Sequence, residues 1–336
     1  MDALSIAMDN LASPMVLCFA LGLIAALARS ELTVPEAAAK AMSLYLLLAI
    51  GFKGGVAVSR HGLGADVALA IGAGVLLSLL LPVIAFYLLR WATALSRTDA
   101  AAVGAHYGSI SIVTFVAATQ ALEAAGMSYE GYMVAVAAAM EAPAIVAGLW
   151  LASGGAQTAG RPQAGALSAA RAPKRGLAIP REVYLNGSIV LLVGAFVIGW
   201  ISGEPGFTAV AGFLDAPFKG VLCLFLLDMG LLAGRHLLES ARQLDARVLG
   251  AGLVLPLVGA AAAAPLGWAI GLSAGGLALL ITLAASASYI AAPAALRIAL
   301  PQANPATYLT LSLGVTFPFN LTLGIPLYLA LAQALA

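Results

Sequence analysis

Long apolar stretches separated by short polar segments run through almost the whole chain. A hydrocarbon layer of about 30 Å is crossed by about 20 apolar residues in a helix, and ten stretches reach roughly this length. The pattern therefore predicts an all-α integral membrane protein with ten transmembrane helices, here called spans. Their expected ranges are 11–28, 35–56, 65–89, 100–122, 129–152, 184–202, 210–233, 246–271, 274–297 and 306–334.

One segment between the fifth and sixth spans breaks the apolar pattern. Residues 153–183 are rich in Gly, Ala, Ser, Gln and Pro and include a cluster of basic residues. A sequence of this composition cannot bury a core of its own, so it predicts a flexible linker. The linker divides the chain into two five-helix units, residues 1–152 and 184–336.

Basic residues are distributed unevenly between the two sides of the predicted bundle. Most arginines and lysines fall on the side of the linker, and cytoplasmic loops are the ones enriched in these residues. The linker is therefore expected to be cytoplasmic. The sequence predicts a multi-pass protein of a bacterial inner (plasma) membrane, surrounded by membrane lipid, with the N- and C-termini outside.

The composition supports this assignment and narrows the classes of partner. The chain is 62% hydrophobic and 9% charged, whereas soluble domains carry about 25% charged residues. The net charge of +1 gives no reason to expect a nucleic-acid partner.

The two halves of the chain resemble each other. Ser109 and Ser111 correspond to Ser286 and Ser288 when the halves are aligned; chance alignment of Gly-, Ala- and Leu-rich helices is the alternative. Because each half has five predicted spans, an odd number, the second half must insert upside down relative to the first. Inverted repeats with sites near broken helices at the midplane are typical of secondary transporters.

Two stretches place small hydroxyl residues beside helix breakers, "GSISIVTF" (108–115) in span four and "ASASYIAAP" (285–293) in span nine. Glycine and proline favour interruption of these helices, and the start of a half-helix offers free N–H groups and partial positive charge. Close helix packing and hydroxyls bonded to their own helix are the alternative. The predicted anion-binding residues are Gly108, Ser109, Ser111, Thr114, Ser286, Ser288 and Tyr289.

A carboxylate lies deep in span five. Glu141 precedes Pro143 by two residues, and an ionisable residue at membrane depth is a functional candidate. The corresponding region of the second half supplies hydroxyl and amide oxygens from Thr316 and Asn320. We expect a sodium-binding site formed by Glu141, Thr316 and Asn320, with Na⁺ contacting Glu141 and Asn320. A protonated or paired structural role for Glu141 is the alternative.

Several motifs resemble one known family. "YGSISIVT" (107–114), "MEAPAIV" (140–146), "SASYIAAP" (286–293) and "LPQANPATY" (300–308) are similar to segments of the sodium-dependent bicarbonate transporters known from cyanobacterial carbon uptake. The resemblance implies a core domain of spans three to five and eight to ten, and a gate domain of the other four. It also implies Na⁺-coupled uptake of HCO₃⁻, a homotrimer, and a PII-like regulatory protein as a partner.

The chain departs from that family at the predicted site. The best-known members carry Asp where this chain has Tyr289, and Asp where it has Glu141. Replacement of a carboxylate by Tyr289 removes one possible ligand for Na⁺ or bicarbonate. The departure bears on the identity of the anion and on the number of sodium ions.

The predicted function is secondary active transport by alternating access around a midplane site, with Na⁺ as the coupling ion and no other cofactor. A sodium-independent anion channel or uniporter, or the same fold with a different small anion, is the alternative. An intramembrane enzyme would use His106 and Ser109 as base and nucleophile. The sequence contains no HExxH motif, and His106 has no second histidine beside it within a predicted span. We therefore expect no enzymatic activity.

Overall fold

The computed structural model describes residues 11–61, 64–153, 187–240 and 244–336, and these residues form helices without any strand. The predicted linker lies outside the described residues from position 154 onward. The helices are α1 (Pro14–Leu27), α2 (Glu36–His61), α3 (Ala65–Ala92), α4 (Arg97–Gly108), α5 (Ile112–Ala124), α6 (Met133–Ala152), α7 (Gly187–Leu214), α8 (Phe218–Ser240), α9 (Ala246–Ala269), α10 (Ala274–Ala285), α11 (Ala291–Ala299) and α12 (Pro305–Leu335).

Eight helical segments among the described residues are long and apolar enough to cross a membrane, with α4 and α5 taken together as one. This agrees with an integral membrane protein, as the apolar pattern predicts. The first and ninth predicted spans contain the shorter apolar helices α1 and α10. The count of ten spans therefore stays a prediction.

The helical path is interrupted between α4 and α5 and again between α10 and α11. Ser109, Ile110 and Ser111 are non-helical, and α5 restarts with Ser111 as its N-cap, whose side chain accepts from the Thr114 N–H. In the second interruption, helix α11 restarts at Ala291. Pro293 then lies in the first turn of α11, where a missing N–H breaks no intrahelical bond.

The predicted end of the sixth span at residue 202 agrees with the structure, but the predicted start of the seventh span does not. The range of α7 contains two helices that meet at Gly203, which is non-helical with a positive φ of 57°. The second of them runs to Leu214, and α8 begins only at Phe218. The predicted start of the seventh span at residue 210 is therefore wrong. Gly203 tolerates the left-handed backbone, and Pro205 follows it in the first turn of a continuing helix.

Glycines allow two pairs of helices to pack with their backbones in close contact. Helix α2 packs along α7, and α1 packs along α8. A Cβ atom on Gly55 of α2 would overlap the Phe196 carbonyl of α7, and one on Gly230 of α8 would overlap the Phe19 carbonyl of α1. Small residues that permit such approach are the usual basis of helix association in membranes.

The interrupted helices occupy the interior of the bundle. The most apolar window of the segment that combines α4 and α5 is completely buried, and every residue of α10 after the first, Ala274, is buried. Non-helical backbone at membrane depth is tolerated only where protein or a cavity surrounds it. The interior position therefore explains how the two breaks are accommodated.

Candidate anion site at the crossing of the helix breaks

Three hydrogen bonds tie the two breaks together. The Ser288 N–H donates to the His106 carbonyl at 2.8 Å, and His106 Nδ1 lies 2.6 Å from the Ser288 carbonyl oxygen. Because a carbonyl only accepts, Nδ1 must carry the proton in this contact. The Ser111 N–H donates to the hydroxyl oxygen of Ser286 at 2.9 Å. The breaks of the two halves therefore cross in the centre of the bundle.

A narrow cleft lies against this crossing, with a volume of about 300 Å³ including its mouth. The space inside the cleft that a water-sized sphere can reach is about 10 Å³, about what one water molecule needs, so the cleft does not suit a bulky organic molecule. Its lining comprises Ser43 and Leu47 of α2, Glu141 of α6, residues 110–112 of the first break and residues 288–291 of the second.

Two helices begin at the wall of this cleft. Ile112 is the first residue of α5 and Ala291 the first residue of α11, and both line the cleft. The first N–H groups of a helix lack partners within the helix and carry partial positive charge. The two starts therefore favour an anion between them, as the sequence predicts for a break at the midplane.

Two serine hydroxyls on this wall keep their own hydrogen available. Ser111 Oγ accepts from the Thr114 N–H and the Thr114 hydroxyl, and Ser288 Oγ accepts from the Ala292 N–H. In these bonds both serines accept, and the Tyr289 hydroxyl is the further polar group that faces Ser111. Both serines can therefore donate to a ligand in the cleft.

Tyr289 adds a third hydroxyl to the cleft. Its side chain is almost fully buried, and its ring packs edge to face on Phe317 with the ring centres 5.3 Å apart. The phenol oxygen makes no close hydrogen bond among the described residues, and the Ser111 hydroxyl is the side-chain group that faces it. A buried hydroxyl without a partner is unfavourable, so a ligand that pairs with it would be stabilised.

Glu141 is the carboxylate of the cleft. It is 5% exposed, and its Oε2 has no hydrogen-bond partner among the described residues. No Lys or Arg side chain belongs to the residues that line the cleft. Burial of an unpaired charge is costly, so the carboxylate favours a cation or a proton beside it.

Four of the predicted anion-binding residues do not line the cleft. Gly108 packs against Pro82 and Ala144, where a Cβ atom would overlap the proline ring. Ser286 holds the crossing together, and Thr114 donates to Ser111 rather than into the cleft. Ser109 is fully buried, and its hydroxyl has no partner among the described residues.

The two other predicted sodium ligands are bonded elsewhere. Thr316 Oγ1 donates to the Gly252 carbonyl at 2.6 Å. Asn320 donates to the Ala285 carbonyl and accepts from the Tyr328 hydroxyl, each at 2.8 Å. Neither residue lines the cleft that contains Glu141. The structure thus places both behind the crossing, with their side-chain oxygens engaged.

Sequence reasoning missed the contribution of α2. Ser43 and Leu47 are one helical turn apart on α2 and line the cleft together with residues of both helix breaks. A single serine in an apolar helix carries no pattern that distinguishes it from a packing residue. Only the three-dimensional arrangement identifies it.

The described residues contain no group of three or more His, Cys, Asp or Glu side chains that could hold a metal ion. In the described part of the structure, His106 and Ser109 do not form the hydrogen bond that a catalytic base and its nucleophile would share. His106 Nδ1 instead faces the Ser288 carbonyl, and Ser109 Oγ has no partner there.

A family model described as the Na⁺-dependent bicarbonate transporter superfamily matches residues 14–333, which include both helix breaks and the whole cleft. No curated protein matches the chain.

Proposed function

The chain belongs to the Na⁺-dependent bicarbonate transporter superfamily, and we propose that it takes up bicarbonate together with Na⁺ by alternating access around the cleft. Membership makes the protein a multi-pass membrane transporter rather than an enzyme. The donor-rich crossing of the two breaks is the observation that carries the proposal for the anion. The neighbouring carboxylate supports coupling to a cation.

The anion would bind between the starts of α5 and α11. Their free N–H groups, together with the hydroxyls of Ser111, Ser288 and Tyr289, offer neutral donors from several directions. Such donors hold a small anion without the buried counter-charge that an arginine would bring. Sites of this kind, at half-helix starts near the midplane, are typical of secondary transporters.

Na⁺ would bind beside Glu141. An anion that enters the cleft alone would meet the Glu141 carboxylate in a poorly hydrated site, where like charges repel strongly. A bound Na⁺ removes that repulsion and attracts the anion, so the two ions enter together. Thr316 and Asn320 remain proposed ligands, and either would have to exchange a present hydrogen bond to reach the ion.

The proposed transport cycle uses ten spans arranged as two inverted repeats. Ser111 and Ser288, equivalent in the predicted repeat, each accept a hydrogen bond from the first turn of the following helix. The alignment of the two halves also pairs Gly51 with Gly230, and each of these glycines approaches a carbonyl of a neighbouring helix. These matching roles support the repeat. In this arrangement α3–α6 and α9–α12 are the core domain, and α1, α2, α7 and α8 are the gate domain.

The membrane location, the oligomeric state and the regulatory partner are part of the same proposal. The distribution of basic residues supports a bacterial inner membrane location with both termini outside. The family resemblance supports a homotrimer and a PII-like regulatory protein on the cytoplasmic side.

Uptake of radiolabelled bicarbonate into proteoliposomes tests this function. We expect accumulation when an inward Na⁺ gradient is applied and none with an equal K⁺ gradient. Equilibration that is independent of Na⁺ would instead identify a channel or uniporter. No uptake by folded protein would assign the fold to another small anion, which competition assays with nitrate and formate would then identify.

A further inference from the structure

Ser43 differs from other hydroxyl residues in the long helices. Ser59, Ser202 and Ser312 each donate to a carbonyl three or four residues earlier in their own helix, at 2.7–2.8 Å. This local bond is the usual way in which a serine is satisfied within an apolar helix. Ser43 makes no hydrogen bond to any of the described residues, so its hydroxyl remains available.

The position of Ser43 gives that hydroxyl a target. Ser43 and Leu47 are the α2 residues that line the cleft, and Leu47 carries no polar group. The donor wall of Ser111 and Ser288 belongs to the same cleft. A second cavity of about 210 Å³ adjoins it, and there Ser43 is the one polar residue in an otherwise apolar lining. Ser43 therefore lies at the boundary between the polar cleft and the apolar cavity.

We propose that Ser43 is the α2 residue that donates a hydrogen bond to the transported anion. The inference rests on the proposed function and adds a contact from the gate side of the cleft. Bicarbonate has three oxygens, and the two helix starts and their serines approach it from the core side only. A donor on α2 adds a hydrogen bond from the opposite domain. The bound anion then bridges the core and gate domains, which move relative to each other during transport.

The matched pair Ser43→Ala and Ser59→Ala tests this role. Both serines lie on α2, but Ser59 is bonded to the Val56 carbonyl and does not line the cleft. We expect S43A to raise the KM for bicarbonate about tenfold, the change produced by losing about 1.4 kcal/mol of binding. S59A should leave the KM unchanged, and Ser43→Thr, which keeps the hydroxyl, should restore most of the affinity. An equal KM in S43A and S59A would overturn the proposal.

A labelling experiment covers the case in which S43A folds poorly. The variants S43C and S59C are made in a chain whose native cysteines, Cys18 and Cys223, are replaced by Ala. Bicarbonate with Na⁺ should slow the reaction of a thiol reagent at S43C and leave S59C unaffected. An unchanged rate at S43C would overturn the role of Ser43. Absence of uptake by the wild-type protein would instead reject the proposed function, so the two failures are distinguishable.

Discussion

The backbone N–H of Ser111 donates to the hydroxyl oxygen of Ser286 at 2.9 Å, although the two residues are 175 positions apart in the chain. The hydroxyl of Ser286 in turn donates to the Leu283 carbonyl at 2.8 Å. A buried N–H within a helix break has no helical partner and must find another acceptor. Ser286 therefore stabilises the break of the other half as well as the end of its own helix.

Replacement of Ser286 by Ala should destabilise the protein measurably. The change leaves the buried Ser111 N–H without an acceptor, which costs about 1–3 kcal/mol. We expect a lower midpoint of thermal unfolding for the detergent-solubilised variant. Ser312→Ala is the control, because Ser312 is equally buried but its hydroxyl serves only its own helix. Equal midpoints in the two variants would contradict the role given to Ser286.

His106 should act as a positioning residue for the second break. Its Nδ1–H and its carbonyl hold both backbone groups of Ser288, so His106→Ala should weaken the crossing from which Ser288 reaches the cleft. His106→Asn, whose amide can replace Nδ1–H, should retain more affinity. The measurement is the KM for bicarbonate, which we expect to rise more in H106A than in H106N. Complete loss of transport in both variants with unchanged binding would favour direct participation of the imidazole.

Because α2 and α7 are in close contact, the loss of stability on replacing a glycine by alanine should depend strongly on the position of the glycine. Gly55→Ala should lower the yield of folded protein, because the new methyl group would overlap the Phe196 carbonyl. Gly194→Ala on α7 is the control, since nothing lies within 4 Å of the methyl group there and alanine favours a helix. Size-exclusion profiles and thermal midpoints compare the two. A G55A variant as stable as G194A would show that the helices separate without cost.

The sequence predicts interrupted helices at these two places because serine, glycine and proline each act locally. Ser111 caps α5 and Pro293 fits the first turn of α11, and both effects depend on the nearest few residues. The all-helical fold likewise follows from the length of the apolar stretches. The break at Gly203 agrees with the predicted end of the sixth span, but the composition does not reveal that a second helix resumes directly after it.

The sequence does not predict roles that depend on contacts between residues far apart in the chain. Gly108 is a predicted anion-binding residue, and the structure adds that it packs closely against Pro82 and Ala144. Asn320 is bonded to the end of α10 and to Tyr328, which no spacing along the chain reveals. Ser43 reaches the cleft only through the packing of α2 against the crossing. Such roles require the tertiary arrangement.

Glu141→Gln should separate binding of the anion from the requirement for Na⁺. Without the carboxylate, the cleft no longer repels an anion, so bicarbonate should bind with the same affinity in the presence and absence of Na⁺. Accumulation driven by a Na⁺ gradient should be lost, because no charge on the protein then ties the cation to the anion. Calorimetric titration of bicarbonate at fixed Na⁺ concentrations, combined with uptake assays, measures both effects.

Two further variants make this prediction specific. Glu31→Gln removes an exposed carboxylate that does not line the cleft and should leave Na⁺ dependence intact. Glu141→Asp keeps the charge and should retain coupling with reduced affinity for Na⁺, since the shorter side chain draws the carboxylate back. If E141Q still accumulates bicarbonate along a Na⁺ gradient, the coupling ion binds elsewhere. In that case the unpartnered Oε2 atom of Glu141 would serve the anion itself, as an acceptor for the hydroxyl group that bicarbonate carries.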